Sequence, residues 1–198
     1  MTMVRRTQAQ RSASTRAALL DATIACLVER GFEGTSTPEI CRRAGVSRGA
    51  QLHHYPTKEE LLAASVEHLC ERRLEEFRQL VQADSSPARR VESAFDKLWD
   101  IYSGPTLMAW VELAVAARTN PALQKHMHRV SGRVEDEAED ALREYFGIPD
   151  HVPARAAVRM VLSLLDGLAL RTILQGDASA REALTVFRAL VEPWLGAR

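Results

Sequence analysis

The sequence predicts an all-α protein, a three-helix helix-turn-helix head followed by a larger helical body. Three observations carry this. Apolar residues recur at spacings of three and four along most of the 198 residues, no alternating strand pattern stands out, and residues 37–56 are punctuated as two short helices around a glycine turn.

The leading segment, residues 1–13, has Arg5, Arg6 and Arg11 among Thr, Gln and Ser with no apolar face, and reads as a disordered basic arm. Such an arm either follows a nucleic-acid backbone or is a solvated tail. Leu20, Ile24, Leu27 and Val28 then form one stripe of a first helix, which Gly31 ends. Thr37 is placed as the N-cap of the second helix, with Pro38 at its first position, where no N–H is missed. Gly45 suits the left-handed residue that closes this helix, and Val46 packs back over its last turn. Ser47 caps a third helix that Pro56 stops.

A helix of about two turns adds little to a core, so its outer side chains call for another explanation. Arg48, Gly49, Gln51, His53 and His54 are types suited to phosphates and base edges. Gly49 costs roughly 1 kcal/mol against Ala inside a helix, yet it lets a backbone approach a phosphate closely.

These residues carry a resemblance to a known family. Residues 16–62, from Arg16-Ala17-Ala18-Leu19-Leu20 through Arg30-Gly31-Phe32-Glu33-Gly34 to His53-His54-Tyr55-Pro56-Thr57-Lys58-Glu59-Glu60-Leu61-Leu62, resemble the N-terminal domain of the TetR (tetracycline repressor) family of bacterial transcription regulators. The resemblance covers about a quarter of the chain. It implies a DNA-binding head on a helical, ligand-binding and dimerising body, in which an effector changes the separation of two heads. It also implies operator contacts at Thr37, Ser47, Arg48, Gly49, His53, His54 and Lys58, mostly to phosphates, with Arg48 and Gly49 nearest the bases. One departure stands out. The family often has Leu-Tyr before the histidine pair, where this chain has Gln51-Leu52. The usual tyrosine contact with phosphate is therefore missing, and Gln51 has two places open to it, the groove or the interior of the head.

Charge supports a one-ended DNA binder. The chain is neutral overall, but residues 1–58 hold nine Lys/Arg against four Asp/Glu, a net +5, and the rest is −5. A basic head on an acidic body docks by its head. The partners expected are a double-stranded operator with an inverted repeat, a second copy of the chain and a small-molecule effector.

The division expected is an arm over 1–13, a head over 14–57 and a body over 58–198. In the body a long helix runs from Lys58 to about Ala83, carrying Leu61, Leu62, Val66, Leu69, Leu74, Phe77 and Leu80, and Asp84-Ser85-Ser86-Pro87 breaks it. Further helices are expected over about 88–102, 105–118, 121–146, 154–174 and 179–194, punctuated by Pro105, Pro121, Pro153 and Gly176. The last two carry broad apolar faces. Met160, Leu164, Leu168, Leu184, Phe187 and Val191, with Arg171 among them, are the candidates for a two-fold four-helix interface; closing the chain's own core is the competing use.

Trp99, Tyr102, Leu107, Met108, Trp110, Val111 and Met127 suit an adaptable apolar effector cavity, or equally an ordinary core. Glu112, Asp166 and Arg171 interrupt apolar helix faces, as ligand-orienting groups or as ion-pair or interface residues.

No catalytic residues are expected: the chain has no GxSxG elbow and no glycine-rich phosphate loop. No metal and no cofactor are expected either, since His126 and His128 point to different sides of a helix and Cys26, Cys41 and Cys70 form no CxxC pair. The cysteines read as inert core thiols. With no run of ~18 apolar residues and no charged-then-apolar leader, neither a membrane nor export is expected, and the location expected is cytoplasmic.

Overall fold

The helical periods are realised throughout. The computed structural model describes residues 7–82, 87–104, 106–146 and 153–195, and among them there is no strand. The helices are α1 Gln8–Gly34, α2 Thr37–Ala44, α3 Arg48–His54, α4 Lys58–Gln82, α5 Pro87–Tyr102, α6 Thr106–Ala117, α7 Pro121–Phe146, α8 Ala154–Gln175 and α9 Asp177–Leu195. Residues 1–6 of the expected arm, residue 83 at the expected end of the long helix, 84–86 of the expected break and Pro105 lie outside the described residues.

Two local expectations are corrected. The arm is helical from Gln8, because Thr7 and Gln10 form a capping box: the Thr7 hydroxyl accepts from the Gln10 N–H and the Gln10 side chain accepts from the Thr7 N–H. The N-cap of α2 is Ser36 rather than Thr37, and it makes no side-chain cap; its carbonyl accepts the Ile40 N–H at 3.0 Å. Thr37 is thereby freed of the capping role.

The chain forms two compact units, residues 1–69 with 108–129 and residues 70–107 with 130–198. In the first, Leu19, Leu20, Ala22 and Cys26 of α1 bury against Ile40, Tyr55 and Leu61. Gly31 ends the regular part of α1 at φ 68°, ψ −178°, a conformation essentially reserved for glycine. Gly45 takes the left-handed position at φ 66° between α2 and α3, where the Val46 N–H reaches back to the Cys41 carbonyl at 3.1 Å. In α4, Leu61, Leu62, Ala63, Val66 and Leu69 are buried, as are Ala109, Leu113, Leu123 and Met127 further along the chain.

In the second unit, Trp99 of α5 is fully buried and its indole N–H donates to Asp177 at the start of α9 at 3.0 Å. Phe95 meets Phe187 edge to face at 5.8 Å. Leu165, Leu168, Ala169, Ala180 and Leu184 close the packing of α8 and α9. Leu168 and Leu184 are therefore corrected from interface candidates to core of the single chain. Among the described residues, the large apolar side chains left exposed on these helices are Met160, Leu170, Ile173, Leu174, Val186 and Leu190, with Leu174 84% exposed.

Candidate functional site

The third helix presents its N-terminal residues on a scaffold that its own sequence builds. Ser47 accepts the Ala50 N–H through its hydroxyl at 3.1 Å and the Gln51 N–H through its carbonyl at 3.0 Å, while Tyr55 closes the helix onto the Gln51 carbonyl at 2.7 Å. Ser47, Arg48 and Gly49 are exposed, and a Cβ at Gly49 would meet only the Ser47 hydroxyl at 3.9 Å. His53 is exposed and His54 half-buried, their rings edge to face at 5.2 Å. Burial first, then His53 and Arg16, hold the His54 pKa below the usual histidine value. A neutral imidazole still donates one hydrogen bond to a phosphate. Thr37 is half-buried at the start of α2.

Gln51 is corrected. It is 1% exposed, its amide N–H donates to the Tyr55 carbonyl, and it fills the head rather than facing a groove. Its carbonyl oxygen and the Tyr55 hydroxyl are both buried without a hydrogen-bond partner. Leu52 takes the outward place at 45% exposure. A one-residue step on a two-turn helix turns a side chain by about 100°, which decides which of the two neighbours is inside.

Behind α3 the head is braced by charge. Glu39 of α2 accepts from Arg42 and Arg43 at 2.8 Å and pairs with Arg30 at 3.1 Å, and the two hydrogen-bonded guanidinium groups lower its pKa to about 2. Arg43 also holds Glu29 of α1. These arginines are therefore partly committed to binding α1 and α2 to each other, which leaves Arg48 as the exposed cation at the start of α3.

Lys58 and Glu112 meet the same residue. The Lys58 ammonium lies 4.8 Å from the centre of the Phe32 ring, and the Glu112 carboxylate accepts the Phe32 N–H at 2.6 Å. A Cβ at Gly31 would stand 3.0 Å from that carboxylate. Phe32 leaves the helix at Gly31, so its N–H lacks an ordinary helical acceptor and a side chain eighty residues away supplies one. Glu112, an effector candidate from sequence, is thus the acceptor that secures the end of α1.

The other effector candidates divide. Leu107 and Met127 are buried; Met108, Trp110 and Val111 are half-buried. Met108, Trp110, Val111, Glu112 and Met127 belong to the first unit, whereas Trp99, Tyr102, Leu107 and Asp166 belong to the second. Tyr102 and Asp166 come together with Arg73 of α4, a residue the sequence reading passed over. Burial lifts the pKa of both Tyr102 and Asp166 and lowers that of Arg73. The signal was present: Arg73 falls three, four and seven residues after the buried Cys70, Leu69 and Val66, an arginine on a core stripe. Arg171 is exposed and donates to Gln175 at 2.9 Å; Met160 is exposed, and Leu164, Phe187 and Val191 are half-buried. No group of three or more His, Cys, Asp or Glu suited to a metal occurs among the described residues, and no described helix is long and apolar enough to cross a membrane.

Comparison with known proteins gives this geometry its family. Residues 19–65 match the family described as "Bacterial regulatory proteins, tetR family", and residues 87–196 match "BetI-type transcriptional repressor, C-terminal". An HTH-type transcriptional regulator of Mycobacterium tuberculosis is 33% identical over 168 residues, covering 83% of this chain and 86% of that protein. The HTH-type transcriptional regulator CymR of Pseudomonas putida is 31% identical over 182 residues, covering 89% of this chain and 88% of its own. Among solved structures, a TetR-family regulator from Rhodococcus sp. shares the fold at a TM-score of 0.74 and 20% identity, covering 91% of this chain and 97% of that one. With a helix-turn-helix head matched at one end and a regulator's helical body at the other, the chain belongs to the tetR family and is a DNA-binding transcriptional regulator.

Proposed function

We propose that this regulator acts as a homodimer which places two copies of α3 in successive major grooves of an inverted repeat, represses transcription there, and leaves when a small molecule binds its body. The observation that carries the reading is the exposed Ser47-Arg48-Gly49 start of a capped helix in the head of a tetR-family chain. The similarity of residues 87–196 to the C-terminal part of BetI-type repressors supports repression rather than activation. Thr37, Ser47, Arg48, Gly49, His53, His54 and Lys58 are the proposed DNA contacts. The role is a non-enzymatic one, exercised in the cytoplasm where the operator is.

Pairing of two chains is supported by the exposed apolar side chains of α8 and α9. Met160, Ile173, Leu174, Val186 and Leu190 are each more than half exposed, a cost in water that a two-fold partner removes. Release is supported by the Phe32 clasp: Glu112 of α6 holds the end of the head's first helix, so a ligand that shifts α6 changes the seat of the head.

The test is a titration of the full chain against a selected operator and random duplex in one buffer. Preference for the operator is expected, with affinity falling steeply as salt rises because phosphate contacts release counterions; equal affinity for both duplexes overturns the reading. In the same experiment Leu174→Glu, which leaves the core of the single chain untouched, should shift light scattering from dimer to monomer and weaken operator binding. A parent protein that is monomeric at micromolar concentration refutes the pairing.

A further inference from the structure

Arg73 is a half-buried cation without an ion-pair partner among the described residues. Its Nη2 donates to the Thr106 hydroxyl at 2.9 Å, and its guanidinium carbon lies 5.3 Å from the centre of the Tyr102 ring. Its Nε is sealed from solvent and meets no acceptor among the described residues. No described carboxylate forms an ion pair with it; Asp166 is near enough for the two charges to be felt, but not in contact. Two other half-buried arginines contrast with it: Arg43 holds Glu29 and Glu39, and Arg78 holds Glu137.

A guanidinium taken from water is ordinarily paired and hydrogen-bonded, because desolvation without a partner costs several kcal/mol. Here one face is covered by an aromatic ring, one nitrogen is fixed by a hydroxyl, and the buried Nε is unanswered among the described residues. The residue as a whole is half-buried, which leaves an approach to it. A planar fork of N–H groups is the natural complement of a carboxylate, and a flat ring beside it suits the apolar part of the same molecule.

We propose that Arg73, steadied by Thr106 and covered by Tyr102, binds the carboxylate of a small apolar acid, which is the effector of this regulator. This rests on the effector reading above and narrows the ligand from a small molecule to an apolar acid. Asp166 then acts against binding as a nearby carboxyl group, and sets a preference for weakly hydrated monocarboxylates over multiply charged anions.

The test uses the full-length protein with benzoate, phenylacetate, hexanoate and octanoate, each beside its uncharged amide, and inorganic phosphate, followed by thermal shift and calorimetry. At least one acid should raise the melting temperature and bind about 10-fold or more tighter than its amide. Arg73→Gln should remove that difference, Arg73→Lys should retain part of it, and Asp166→Asn should strengthen binding of the acid. Opposite effects at Arg73 and Asp166 separate recognition from a fold defect, which would weaken binding in both variants. Amides that bind as well as acids, an acid indifferent to Arg73→Gln, binding of phosphate alone, or no acid bound at millimolar concentration overturns the proposal. If uncharged compounds bind and release the operator while acids do not, this inference fails and the switch stands. If an acid binds through Arg73 and operator affinity is unchanged, the site stands and the switch fails.

Discussion

Gly31→Ala is expected to be among the most damaging single substitutions in the head. Residue 31 sits at φ 68°, ψ −178°, where a side chain costs about 1–3 kcal/mol in backbone strain, and its new Cβ would stand 3.0 Å from the Glu112 carboxylate. That carboxylate then gives up its bond to the Phe32 N–H, a charge-assisted hydrogen bond of about 1.5–3 kcal/mol. For a chain of this size each kcal/mol lowers the melting temperature by about 2–4 °C. The two contributions separate in a double-mutant cycle: in a Glu112→Ala background the steric part disappears and the backbone part remains. A Gly31→Ala protein that melts with the parent refutes both the strain and the clasp.

Arg48→Ala is expected to weaken binding to the selected operator by about 1–3 kcal/mol, roughly 5- to 150-fold, and to relax the sequence preference at one position of each half-site. Arg48 is exposed at the start of α3, while Arg30, Arg42 and Arg43 are occupied with Glu29 and Glu39, so these three do not replace it. Melting should be unchanged, because the Ser47 cap and the buried Tyr55 hold α3 without it. Competition titrations with operators altered one base pair at a time check the result. A loss spread evenly over every sequence would reassign Arg48 to phosphate alone.

The order and approximate ends of the helices were legible because the residues that set them act locally. Gly45, Ser47, Pro121 and Pro153 restrict or cap their own few residues, and each stands at or next to a boundary in the structure, while Gly31 stands at a kink three residues before the end of α1. The choice of Ser36 over Thr37 as cap, and the Thr7–Gln10 box that turns the arm helical, are differences of one residue or one turn between side chains of equal capping ability. What a sequence period cannot give is the identity of the partner. Leu168 and Leu184 lie on apolar stripes just as Met160 does, but the first two are covered by the chain itself and the third is not. Gln51 and Leu52 would be assigned outside and inside on polarity alone; packing of α3 reverses them. The partners of Glu112 and Arg73 were out of reach for the same reason, since the Phe32 N–H and the Thr106 hydroxyl are 80 and 33 residues away.

The Phe32 clasp also sets an order of events during synthesis. The residues of α1, α2 and α3 leave the ribosome first, yet the acceptor for the Phe32 N–H is 80 residues further along the chain. At about 5–20 residues per second that is a wait of roughly 4–16 s, during which the head has its caps and its apolar core but not its last anchor. A nascent head is therefore an incomplete one. The end of α1 is fixed only when α6 emerges, so a segment made early is finished by one made late.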